Sequence, residues 1–358
     1  MAQRVTYHQE TDIQNTLKLR EILRTMPEFC KDYFRAIEPT TSTKTRISYA
    51  YDIRIFFQFL IDENPFYKNY KMADFTVNDL DELQVLDIEE YQEFLKVYKS
   101  PTDDKLTTNG ERGLKRKMSS LRSFYAYYYK RELIKSNPTM LIDMPKLHDK
   151  TIVRLDADEV AMLLDYIEHC GDSLTGQKRV YYEKTKERDL ALVTLLLGTG
   201  IRVSECVGLD VEDIDFKNNG IKVVRKGGSE MVVYFGEEVE HALKNYLEVR
   251  KGITPVAGHE HALFYSTQRK RIGVQAVENL VKKYAREITT TKKITPHKLR
   301  STYGTALYQE TGDIYLVADV LGHKDVNTTK RHYAAQDEHR RRQAASAVRL
   351  REDNNRHE

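Results

Sequence analysis

The chain has 358 residues, 40% of them hydrophobic and 31% charged, and 57 Lys and Arg against 54 Asp and Glu leave a net charge of only +3. That length exceeds the usual single core, so two domains are expected, and the charge balance excludes a polycation that would hold nucleic acid by total charge alone. No apolar run reaches the roughly 18 to 20 residues needed to cross a bilayer, and the opening M-A-Q-R-V-T-Y-H-Q-E has no apolar h-region, so a cytoplasmic protein with no membrane attachment is expected. Cys30, Cys170 and Cys206 are odd in number and contain no C-x-x-C pair, which speaks against a disulfide framework and a zinc site and for reduced, structural thiols.

In chain order, Ile13 to Met26 can form a first helix. From Thr43 the pattern sharpens, because Ile47, Ala50, Ile53, Phe57 and Leu60 recur at spacings of three and four, and Asn64-Pro65 ends that helix. A second helix is expected from Asp87, capped by its carboxylate with Glu90 reaching back, with Ile88, Tyr91, Leu95 and Tyr98 inward and Ser100-Pro101 as its stop. A third, Asn109 to Leu133, carries Leu114, Met118, Leu121, Tyr125 and Tyr128 on its apolar side. Lys115, Arg116, Lys117, Ser119 and Arg122 crowd its remaining surface, as either a solvated face or a DNA contact. Tyr127 to Tyr129 read as core and hydrogen-bonding residues. A polar stretch with Asn137-Pro138 and Pro145, from Ser136 to Val153, reads as a linker. The expected division is residues 1–140, a linker at 141–154, and a second domain at 155–358.

Beyond it, Asp156 to His169 reads as a capped helix with Val160, Leu163, Leu164 and Ile167 inward, and Arg188 to Leu197 as an apolar core helix. Gly198 and Gly200 are expected to break that helix before a short one from Ile201 to Val207, ended by Gly208. Ile221 to Val224 and Met231 to Phe235, β-branched runs around Lys226-Gly227-Gly228-Ser229, predict a β-hairpin with Lys226 at its end. Helices at Glu237 to Arg250, Val274 to Glu287, Lys298 to Gln309 and Ile314 to Leu321 complete a largely helical second half.

Taken singly, the polar residues of this half are ordinary. Arg202 follows a Gly-Thr-Gly reversal and can project from the start of a short helix, where backbone dipoles favour an anion, or can simply pair with Glu205. His297 and Arg300 stand one helical turn apart after Pro296. His323, in L-G-H, fits a turn as well as a site, and Tyr333 is one of 23 tyrosines. Their order is what counts. G-T-G-I-R-V-S-E from Gly198, a hairpin lysine, H-K-L-R from His297, L-G-H to His323 and then Tyr333 together resemble the tyrosine recombinase (phage integrase) family. The helical first half, with S-S-L-R-S-F-Y and an N-P turn, is similar to that family's core-binding domain. R-V-Y-Y-E-K-T-K-E-R-D and the R-K-G-G hairpin resemble the Xer proteins, most closely the XerS type. Where many members carry His after the second arginine, this chain has Ser301. Lys226, rather than Lys222, is matched to the active lysine by its place beside the glycines.

The resemblance implies a helical, SAM-like core-binding domain followed by a mixed α/β catalytic domain with a small β-hairpin sheet. It implies a site in which Arg202 and Arg300 fork hydrogen bonds to a phosphate, Tyr333 is the nucleophile, and His297 accepts its proton. Lys226 would protonate the departing 5′ oxygen, His323 would donate to the phosphate, and Glu205 would orient His297 and the neighbouring arginine. The product is a 3′-phosphotyrosyl bond to DNA, exchanged without ATP, metal or cofactor. Implied partners are double-stranded DNA with a specific recombination site and three further copies of the chain, as a tetramer on two duplexes, with Ala334 to Leu350 docking on a neighbour. The job would be resolving chromosome dimers or integrating and excising a mobile element. Relaxation by a type IB topoisomerase and a catalytically silent DNA-binding protein are the alternatives.

Overall fold

The computed structural model describes residues 5–99, 105–148, 152–225, 227–323 and 325–330. Lys226, Tyr333, the Ser100-Pro101 helix stop and the segment from Ala334 to Leu350 lie outside the described residues. The chain divides into two compact units, Met1–Lys150 and Thr151–Glu358.

The first unit is built from helices α1 (Tyr7–Leu23), α2 (Cys30–Ala36), α3 (Thr43–Glu63), α4 (Val77–Glu82), α5 (Val85–Phe94) and α6 (Glu111–Lys130), with a two-stranded ribbon of β1 (Val97–Lys99) and β2 (Leu106–Thr108). Helix α3 forms as its periodicity predicts. Ile47, Ala50, Ile53, Phe57 and Leu60 are all buried, the Ser42 hydroxyl accepts from the Thr45 amide, and Asn64 ends the helix. It packs between α1 and α6. Around it the core is aromatic: Phe57 meets Phe124 edge-to-face at 6.1 Å, and Phe56 meets Tyr91 at 5.0 Å.

Helix α5 differs from the expected one at both ends. It starts at Val85, so Asp87 is its third residue and accepts from the Gln84 amide at 2.7 Å instead of capping the helix itself. It stops at Phe94, and Tyr98, buried as expected, belongs to β1. On α6, Met118, Leu121, Tyr125 and Tyr128 are buried. Tyr128 donates to the Phe29 carbonyl at 2.8 Å, but Tyr129 is exposed, against its expected core role. The three cysteines are buried and free.

The second unit holds α7 (Ala157–His169), α8 (Gly176–Thr199), α9 (Val203–Gly208), an antiparallel sheet of β3 (Ile214–Asp215), β4 (Gly220–Val224) and β5 (Glu230–Tyr234), then α10 (Glu237–Lys251), α11 (Val274–Ile288), α12 (Pro296–Thr311), α13 (Ile314–Leu321) and α14 (Val326–Thr329). A mainly helical first half and a mixed second half with a small sheet are the expected fold class. Helix α8 is the hub, packing on α7, α10 and α12. It also begins earlier than expected, since the charged turns from Gly176 are helical too.

Gly198 does not break α8. It lies inside the helix where α10 comes close, and a Cβ there would stand 2.4 Å from the Val239 Cγ2. Gly200 alone ends the helix, at φ +62°, a conformation that costs glycine little. Among the described residues, no helix is long and apolar enough to cross a membrane.

Candidate active site

The site is organised by the end of α13. A helix leaves its last carbonyls without partners. Gly322, at φ +61°, closes α13 with two backbone bonds, Gly322 N–H to the Asp319 carbonyl and His323 N–H to the Ala318 carbonyl, both 2.8 Å. The next three carbonyls, of Val320, Leu321 and Gly322, still need donors. Arginines supply them, from three different parts of the chain.

Arg225, at the end of the β4 side of the hairpin, donates through Nη2 to Val320 at 2.8 Å and through Nη1 to Leu321 at 2.6 Å. Arg300, on α12, also donates to the Leu321 carbonyl, and its other nitrogen meets the Gly200 carbonyl at 2.6 Å. Arg202, at the start of α9, reaches the Gly322 carbonyl at 3.3 Å. Three cations at the negative end of a helix are favourable to the helix, but together they repel one another.

Glu205 answers that repulsion. It is 3% exposed, and Oε1 accepts from Arg202 Nη1 at 2.8 Å while standing 3.9 Å from Arg225. Its other oxygen accepts the Arg202 amide at 2.8 Å, capping α9. The expected Arg202–Glu205 pair therefore exists, and the carboxylate is shared with a second arginine, Arg225. Burial pulls the Arg225 guanidinium below the ordinary arginine value, and Glu205 opposes that. Asp319 acts on Arg225 in the same sense, so the two carboxylates offset part of the arginines' charge.

His323 follows directly, and its Nδ1 lies 2.7 Å from the Thr329 hydroxyl on α14. His297 is the second residue of α12, exposed, one turn before the buried Arg300. Ser301 bonds back to the His297 carbonyl at 3.1 Å. The fold thus brings Arg202, Glu205, Arg300 and His323 around one turn. Lys222, the other hairpin lysine, is paired with Glu230 across the strands at 2.9 Å.

Arg225 was not singled out by sequence. The signal was its place immediately before Lys226, in a hairpin whose strands alternate burial, but nothing local tells an inward arginine from a strand-end charge.

The basic run on α6 is less of a surface than expected. Lys117 is 7% exposed and lies 3.6 Å from Asp52, itself 2% exposed, because that carboxylate takes a two-pronged bond from Arg116 and needs further cations at its depth. Arg122 donates to the Thr139 carbonyl at 2.9 Å and to the Ile142 carbonyl, and Ser119 bonds the Lys115 carbonyl at 2.7 Å. Thr139 and Ile142 are buried with the first unit, so the chain up to Ile142 packs there although its composition reads as linker.

Among the described residues no cluster of His, Cys, Asp or Glu is placed to hold a metal ion. Residues 153–340 match the phage integrase family. The tyrosine recombinase XerC of Caldanaerobacter subterraneus subsp. tengcongensis is 33% identical over 333 residues, covering 90% of this chain and 85% of that protein. With that length of match added to the arginine-ringed turn, the chain belongs to the phage integrase family, the tyrosine recombinases. The tyrosine recombinase XerS of Streptococcus uberis is 29% identical over 338 residues, 87% of this chain and 93% of that one. The fold is shared with the Tn1549 transposon integrase bound to circular intermediate DNA, at a TM-score of 0.61 and 20% identity over 89% of this chain and 99% of that one.

Proposed function

We propose that the chain is a site-specific recombinase of the Xer kind that cleaves DNA with Tyr333 and rejoins it without metal or ATP. The observation that carries this reading is the convergence of Arg202 and Arg300 on the carbonyls of the turn that ends at His323. A phosphodiester seated against that turn meets two guanidinium groups that stay charged at any working pH, where charge builds in the transition state. Arg202 leaves 35% of its side chain open to receive it. Arg300 is 4% exposed, so it reaches the phosphate by giving up a carbonyl.

In this reading the Tyr333 oxygen attacks phosphorus, the bond to the 5′ oxygen breaks, and Lys226 gives that oxygen its proton. His297 takes the phenol proton. His323 donates to the phosphate, and the Thr329 hydroxyl beside Nδ1 holds the ring in place. Glu205 fixes Arg202. DNA is also held by α6 through the half-buried Lys115, with Ser119 alongside, while Arg116, Lys117 and Arg122 keep the helix in place.

Four copies act on two duplexes in the cytoplasm. The job is resolving chromosome dimers or integrating and excising a mobile element, with XerS the finer assignment. The test is selection of bound duplexes from a random pool, followed by a two-duplex exchange assay on the selected site. Exchange lost in Tyr333→Phe is expected. Relaxation without exchange would point to topoisomerase-like action, and binding without cleavage would contradict the enzyme altogether.

A further inference from the structure

We infer that Arg225 is a positioning residue, a buried clamp that holds the lysine-bearing end of the hairpin onto the end of α13. The inference rests on the reading above in which Lys226 is the proton donor.

The guanidinium is 8% exposed, and its donors go into the protein: to Val320 and Leu321 carbonyls and, at 3.3 Å, to the Met231 sulfur. Nε is buried without a partner, a cost tolerated where the rest of the group is held by several bonds. The hairpin turn itself is closed by Arg225 N–H to the Ser229 carbonyl at 2.8 Å and Gly228 N–H to the Arg225 carbonyl at 3.0 Å. These bonds shape the turn but do not attach it to α13. The Arg225 side chain does.

Two details mark the contact as fitted. Gly322 leaves room for it, since a Cβ at that position would stand 2.5 Å from Nη1. Leu321 offers its carbonyl to both Arg225 and Arg300, so when Arg300 turns to a phosphate, Arg225 keeps the turn in place. Losing Arg225 leaves α13 still held by Arg300 and Arg202, while the hairpin end loses its hold on α13. The residue next in sequence is Lys226.

A general acid has to meet the leaving oxygen within hydrogen-bond reach, and a displacement of about 1 Å can cost about 100-fold in rate. A defect of that kind has its own signature. If sulfur replaces the bridging 5′ oxygen, the phosphorus–sulfur bond breaks to release a thiolate, whose ordinary pKa near ~8.5 lets it leave without a proton.

The experiment compares full-length wild type, Arg225→Met and Lys226→Ala on nicked suicide duplexes of the selected site, with either a normal or a 5′-bridging phosphorothiolate linkage. For Arg225→Met we expect DNA binding within about twofold of wild type, normal-linkage cleavage slowed by about 100-fold, and phosphorothiolate cleavage within about fivefold of wild type, as for Lys226→Ala. Normal cleavage by Arg225→Met, or an equal loss on both linkages while Lys226→Ala is rescued, overturns the inference. If Lys226→Ala itself is not rescued, the lysine's acid role fails and the inference falls with it. Should Arg225→Met not fold, Arg225→Lys, which keeps the charge but cannot fork to both carbonyls, is expected to show the same pair of results to a smaller degree, and unimpaired normal-linkage cleavage by it overturns the inference as well.

Discussion

Single side chains divide into those that face a substrate and those that keep the fold's charges satisfied. Asp52 is of the second sort, with Arg116, Lys117 and, at 3.1 Å, Ser120 all directed at one buried carboxylate. Removing the carboxylate leaves the Lys117 ammonium buried with no counter-charge. Asp52→Ala is therefore expected to destabilise the protein by about 3 kcal/mol in urea titration, with much of that recovered in the Asp52→Ala, Lys117→Met double variant. A loss below about 1 kcal/mol would mean that the lysine finds water. Sequence alone could not separate this network from a DNA-facing stripe, because Lys117 and Lys115 carry the same charge on the same helix and differ only in depth.

At the level of elements, the strongly periodic helices were legible and their punctuation only in part: Asn64, Asp156 and Gly200 end or start helices as expected, and Asp87 and Gly198 do not. The apolar rows of α3 and α6 predicted their buried faces because spacings of three and four align on a helix. Glycine misled, since Gly198 reads as a breaker but serves as a gap through which α8 and α10 approach. Putting a methyl group into that gap should cost about 1 to 3 kcal/mol in Gly198→Ala, and Val239→Ala in the same chain should relieve part of it. A neutral Gly198→Ala in thermal denaturation would show that the helices can part freely. The β1–β2 ribbon went unread because three-residue strands are too short to show a period of two.

Across the whole molecule, residues far apart in sequence meet at one helix end. Arg202, Arg225, Arg300 and His323 span more than a hundred positions, yet the three orphan carbonyls at the end of α13 account for where the three arginines go. Four of the motif residues were named from their order along the chain. The fifth partner, Arg225, came only from geometry, since its role depends on a carbonyl nearly a hundred residues away. The central claim is that Tyr333 becomes joined to a 3′ phosphate at this turn. Its most direct test is to trap the chain on a nicked suicide duplex, digest it, and find by mass spectrometry which residue carries the nucleotide. The account predicts the adduct on Tyr333 and none in Tyr333→Phe at unchanged DNA binding; an adduct on any other residue, or no adduct on duplexes that wild type binds tightly, would contradict it.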